Sequence, residues 1–264
     1  MSGPALWVVD RPGSRVFLFG EAVGVRDGGW VSDELRAAVE SSRELWREAD
    51  RGAVSASPLV AQYALAREPL SQRLDGDLLA RVQAVARDVG VDPATLEDLR
   101  PWVAGQLLDA AMRAEAGYDP AHSVDQVITG LAAAAGLSVR YELGDVEATL
   151  AWFDGLGPDL ELDYLRWTVE HVAAGPGPVD RHVEAWQRGD LSVTEAEDRA
   201  MRRDHPALHQ RFLVDRNRAW VPRIESMLGE PGAAFVLVGG LHLAGEASVP
   251  ACLAAAGLPV TRLR

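Results

Sequence analysis

The apolar residues of the chain follow two patterns: short blocks near both ends and helical spacing between them. Leu6-Trp7-Val8-Val9 and Val16-Phe17-Leu18-Phe19 flank the turn-forming triplet Pro12-Gly13-Ser14 and predict a β-hairpin. Gly20 closes the second block, and a glycine-rich stretch runs on to Trp30. Ser32, followed by Asp33 and Glu34, has the chemistry of a helix N-cap with an acidic first turn, and the helix it opens is expected to continue to about Glu48. From about Pro58 to Ala174 the spacing is mostly helical, as at Leu78, Leu79, Val82, Val85 and Val89. Asp125 to Ala135 reads as a helix closed by Gly136, and Ser138 to Leu143 alternates like a strand. Gly175-Pro176-Gly177-Pro178 is the clearest break, after which helices resume to about Leu228. The run Ala233-Ala234-Phe235-Val236-Leu237-Val238 is apolar without interruption, the signature of a strand buried on both faces. A short helix around Pro250 to Ala256 and a last strand, Val260 to Leu263, complete the pattern.

These elements predict an α/β (α+β) fold in one domain, residues 1–264. Its mixed sheet would be assembled from the N- and C-terminal segments, about 5–50 and 230–264, and would carry a long central helical insertion at about 55–228.

Composition narrows the partners more than the fold. With 264 residues, 48% of them apolar, and eight tryptophans, the chain can bury a substantial core. A formal net charge of −13 repels phosphate backbones and anionic bilayers, so neither nucleic acid nor membrane is expected as a partner. A small-molecule or peptide substrate is expected instead, and nothing in the sequence fixes an oligomeric state. All 26 basic residues are arginine. Cys252 is the sole cysteine, which excludes an internal disulfide. No basic segment followed by an apolar one opens the chain, and no apolar run is long enough to span a bilayer, so a cytoplasmic protein is expected.

In α/β sheets, sites gather where strands end at their carboxyl edge. Two places qualify: Gly20-Glu21-Ala22-Val23 after the second strand, and Gly239-Gly240-Leu241-His242 after the buried one. The glycines Gly20, Gly239 and Gly240 would let backbone approach a ligand closely. His242 would project toward a cleft; the plainer reading is a polar histidine in a tight loop.

The same stretches carry a family resemblance. Leu6-Trp7, Val16-Phe17-Leu18-Phe19-Gly20, Leu99-Arg100-Pro101-Trp102, Ser123-Val124-Asp125, Tyr141-Glu142, Arg216-Asn217 with Trp220 and Ile224, and Phe235 to His242 occur in that order. In order and spacing they resemble the TraB/GumN family, which includes the Tiki-type proteases, within the erythromycin esterase/ChaN-like superfamily. The resemblance covers nearly the whole chain, although no single motif is specific. It implies a metal-assisted hydrolase in which a histidine of a first Gly-x-x-His motif, a glutamate and a second-motif histidine converge on manganese, cobalt or zinc. The matching positions are Val23, Glu48 and His242, so the first motif is degenerate: valine has no donor atom.

Three functional readings remain open. The first is a divergent, metal-independent enzyme that acts on a peptide or small natural product and needs no cofactor. Its acid/base chemistry would rest on His242, Glu21, Glu48 and Arg216, with Gly20, Gly239, Gly240, Asn217 and Glu142 lining the substrate site. The second is a non-catalytic binding or regulatory protein. The third is a metallohydrolase in which Glu21, two residues before Val23 and on the same strand face, joins Glu48 and His242 as ligand. Glu48 is itself ambiguous, since Glu44-Leu45-Trp46-Arg47-Glu48 is polar enough to continue the preceding helix and leave Glu48 on the surface. Arg216 either faces the cleft or joins a helix-surface ion-pair network. Asp125 reads as a capping group. His205 and His209 share a helix face without the intervening glutamate of a metalloprotease, and Cys252 reads as packing.

Overall fold

The structure is a computed structural model that describes residues 3–23, 25–26, 28–50 and 58–263. The chain divides into two compact units. The first comprises residues 1–48, 119–142 and 179–264; the second comprises 49–118 and 143–178.

The first unit is built on a six-stranded mixed sheet. Its strands are β1 (Leu6–Arg11), β2 (Ser14–Glu21), β3 (Ser42–Arg47), β4 (Ser138–Tyr141), β5 (Gly232–Gly239) and β6 (Val260–Arg262), in the order β4-β3-β5-β2-β1-β6. β1 and β2 form the expected hairpin, with Leu6 opposite Phe19 and Arg11 opposite Ser14. β2, β5, β3 and β4 run parallel to one another, and β6 closes the far edge antiparallel to β1. The ends of the chain therefore meet as anticipated: Gly20 is in register with Val238, and Glu21 with Gly239.

Both faces of the sheet are covered, as parallel strands require. On one face Phe17, Phe19, Leu45 and Phe235 pack with Leu35 and Val39 of the helix Asp33–Glu40, Ile128 of the helix Val124–Ala134, and Trp186. On the other, Leu18, Trp46, Val236 and Val238 pack with Trp220 and Ile224 of the helix Asp215–Leu228 and with Leu253. The uninterrupted apolar run in β5 is thus explained, since alternate residues serve opposite cores.

One expectation is corrected. The helix opened by Ser32, whose hydroxyl accepts from Leu35 N–H, stops at Glu40 rather than near Glu48. Ser41 and Ser42 both donate their hydroxyls to the carbonyl of Ala38, satisfying the helix end. Leu45 and Trp46 then turn to opposite faces as part of β3. The Gly-Pro break also falls differently: Gly175 has φ of 69°, and a helix resumes at Pro176, running to Gln187.

The second unit is helical across its described residues. The helices Pro101–Glu115 and Pro158–Ala173 form its main contact, with Gly76–Asp88 packed on the latter. Arg100 bridges Asp154 and buried Glu161 there, and Arg73 also reaches Glu161 at 3.7 Å. None of the described helices is long and apolar enough to cross a membrane.

Candidate functional site

Four neighbouring parallel strands end together, and the residues just beyond three of those ends build the site. Beyond β3 comes Glu48, beyond β4 comes Glu142, and beyond β5 come Gly240 and His242, with Gly239 as its last residue. The Glu142 N–H donates to the carbonyl of Arg47, so β4 hands Glu142 to the end of β3, beside Glu48. Alternation along β3 puts Glu48 on the face of Trp46, where the helix Asp215–Leu228 supplies Arg216, Asn217 and Trp220.

Arg216 joins the two carboxylates. Its guanidinium donates to Glu48 Oε2 at 3.0 Å, and through Nε and a terminal nitrogen to Glu142. It is 7% exposed and lies over the Trp220 ring, 5.1 Å from the centroid. Burial acts to lower its pKa, but the charges of Glu48 and Glu142 outweigh this and hold it above its ordinary value. The other oxygen of Glu48 accepts the Gly239 N–H at 2.6 Å. A Cβ on Gly239 would stand 3.3 Å from Glu48 Oε1, tighter than an ordinary contact.

His242 is held from two sides and is 4% exposed. Its ring lies 4.5 Å from that of Trp220, and Nδ1 is 2.6 Å from Asn217 Oδ1. The amide nitrogen of Asn217 donates to the Ala247 carbonyl at 2.8 Å, which fixes the amide's orientation and leaves Oδ1 as an acceptor. Nδ1 of His242 therefore carries the proton, and Nε2 keeps a lone pair facing Glu48 Oε2 at 3.7 Å. Burial pushes the imidazole pKa below its ordinary value, outweighing the opposing pull of Glu48.

The remaining positions fall elsewhere. Glu21 is half-buried in register with Gly239, and alternation along β2 places it on the face of Phe17 and Phe19, opposite that of Trp46 and Trp220. Its register partner Gly239 is the residue whose N–H donates to Glu48, so the end of β2 lies one strand away from Glu48. Val23 is 39% exposed. Gly20 and Gly240 serve close packing: a Cβ on Gly20 would stand 3.1 Å from Gly240 Cα, and one on Gly240 would stand 3.0 Å from the Glu21 carbonyl oxygen. Asp125 is not the cap of its helix. Ser123 accepts from Gln126 N–H in that role, and Asp125 instead pairs with buried Arg47. His209 Nε2 lies 2.8 Å from an oxygen of buried Asp198, and His205 is also buried. Cys252 is half-buried, and burial pushes its thiol pKa up. Two groups are not singled out for this site by sequence. Trp220 follows Arg216 by four residues, so helical spacing alone brings it to the same face. Asp198 carries no such signal.

The residues present do not make the ligand set of a divalent ion. Valine occupies the first-motif position, and Glu48 gives one oxygen to a backbone N–H and the other to a buried guanidinium. Among the described residues no group of three or more His, Cys, Asp or Glu side chains converges in ligating geometry.

Comparison with known proteins places the chain among relatives of similar length. The profile described as "TraB/PrgY/gumN family" matches residues 5–262. The chain is similar to "Uncharacterized protein YbaP" of Escherichia coli (strain K12), 25% identical over 252 residues that span 93% of this chain and 90% of that protein. It is similar to the same degree, over the same shares, to "Uncharacterized protein YbaP" of Shigella flexneri. No solved structure matches.

Proposed function

This chain belongs to the TraB/PrgY/gumN family, and from that premise we propose that it is a divergent member whose site works by acid/base chemistry without a metal, on a peptide or small natural-product substrate. The observation that carries this reading is the 2.6 Å contact of His242 Nδ1 with the oriented Asn217 side-chain oxygen, in a buried site that favours the neutral imidazole. A neutral imidazole is a general base at physiological pH without help from a metal. In this reading Nε2 takes a proton from water as the water oxygen attacks a carbonyl carbon, and returns it to the leaving nitrogen or oxygen. Glu48, 3.7 Å away, stabilises the imidazolium while it exists. Arg216 supplies a fixed positive charge and holds Glu48 and Glu142 in place.

The test is turnover against a panel of short peptides and chromogenic esters, comparing the natural chain with His242→Ala and His242→Gln. Activity lost in both variants supports the role; unchanged turnover rejects it. The burial of His242 favours a second reading, a binding protein that keeps the fold without catalysis. Its outcome in the same panel is saturable binding with no product from the natural chain.

A further inference from the structure

The loop that carries His242 is braced from behind by one helix, Ser192–Asp204, through a stripe of residues four apart. Thr194 presents its methyl group 4.0 Å from where a Cβ on Gly240 would stand. Asp198 abuts Gly245. Arg202 pairs with Glu246 at 2.6 Å. The middle contact differs from the others. Asp198 and His209 are both buried, at 5% and 4% exposure, and are joined at 2.8 Å. Gly245 has φ of 87°, and a Cβ there would overlap the Asp198 carboxylate, its carbon only 2.7 Å away. The backbone of the loop therefore rests directly against a buried carboxylate that a histidine from a neighbouring helix holds in place. From Gly245 the chain runs to Ala247, whose carbonyl orients Asn217, and Asn217 sets the tautomer of His242.

We propose that Asp198, clamped by His209, is a positioning residue for His242: it fixes residues 245–247, and through the Ala247 carbonyl it fixes which imidazole nitrogen carries the proton. The geometry assigns it no contact with substrate. A carboxylate buried among the loop's packing atoms costs desolvation energy, which the His209 contact and the close fit to glycine offset. A hydrophobic residue would fill the same space without that cost, whereas the carboxylate adds a polar contact that holds its position.

The way His242 is held does not depend on whether the site turns over substrate, so the test uses no substrate. The ¹⁵N shifts of the His242 imidazole, read at one fixed pH in long-range ¹H–¹⁵N spectra, report the tautomer. Hydrogen exchange of the 241–247 amides reports the loop. In the natural chain Nδ1 is expected at a protonated shift and Nε2 at an unprotonated one. In Asp198→Ala and Gly245→Ala, each with native circular dichroism, the two shifts are expected to converge. Exchange in the loop is expected to rise about tenfold while the β5 amides are unaffected. His209→Gln, which leaves Asp198 in place without its partner, gives the same readout should Asp198→Ala not fold. Asp198→Asn, which keeps shape and acceptor oxygen, is expected to retain the natural tautomer. Imidazole shifts and loop exchange in the alanine variants identical to those of the natural chain overturn the proposal. So does exchange that rises equally in β5, which marks general destabilisation.

Discussion

At the residue scale, the chemistry of the site follows from two buried side chains with opposite tendencies. His242 is desolvated and stays neutral; Arg216 is buried but retains its charge because two carboxylates face it. The first has a consequence for stability. The folded-state pKa of His242 lies below its unfolded value, so the unfolded chain binds the extra proton first as pH falls. The stabilisation is complete above the unfolded pKa, near 6.5, and is lost as pH drops from there toward the folded value. Denaturant midpoints at pH 7.5 and 5.5 are expected to fall more in the natural chain than in His242→Gln, by up to ~1.4 kcal/mol for each pH unit of the window. Equal falls in both would remove the assignment. For Arg216, truncation to alanine leaves Glu48 and Glu142 without their shared cation. A loss of about 3–5 kcal/mol in urea unfolding is the expected scale for a broken buried ion pair, and a loss under ~1 kcal/mol would mean that the pair is solvated.

At the scale of elements, the site depends on two loops meeting at the ends of β2 and β5, which glycine permits at Gly20 and Gly240. Gly240→Ala sets a methyl 3.0 Å from the Glu21 carbonyl oxygen, backbone that cannot swing aside. Forced separation of the two loops is expected to cost about 1–3 kcal/mol, measured by thermal or denaturant unfolding. Gly28→Ala, where nothing lies within 4 Å, serves as the control. This scale also shows where sequence reading stops. The hairpin and β5 are legible because apolar blocks bounded by turn residues leave little choice of structure. The boundary between Glu40 and Ser42 is not. Residues 33–48 hold one helical-looking run, and the helix end at Ser41 and Ser42, with both hydroxyls turned onto Ala38 and β3 pairing beyond, is set by structure that the run does not show. With β3 hidden in that run, nothing in the sequence decides the direction of Glu48.

At the scale of the molecule, topology assembles what spacing cannot. Glu48 and Glu142 lie 94 positions apart, and they meet because β4 pairs in parallel with β3. Arg216 and His242 reach them from the helix and loop packed on the same face as Trp46. A sequence indicates that such residues are charged or polar; the strand order decides which become neighbours. The same order sets Glu21 in register with Gly239, beside the strand end that holds Glu48, a relation that spacing along one strand cannot give. The helical region likewise looks like one insertion in sequence, whereas residues 119–142 and 179–228 belong with the sheet and residues 49–118 and 143–178 form the second unit.

In the proposed reaction His242 does its chemistry without a metal, beside the fixed positive charge of Arg216. Turnover of the peptide and ester panel by protein dialysed against EDTA tests it most directly. Dialysis is expected to leave the rate unchanged, and His242→Ala to abolish it. A rate that disappears on chelation and returns with manganese, cobalt or zinc would contradict it.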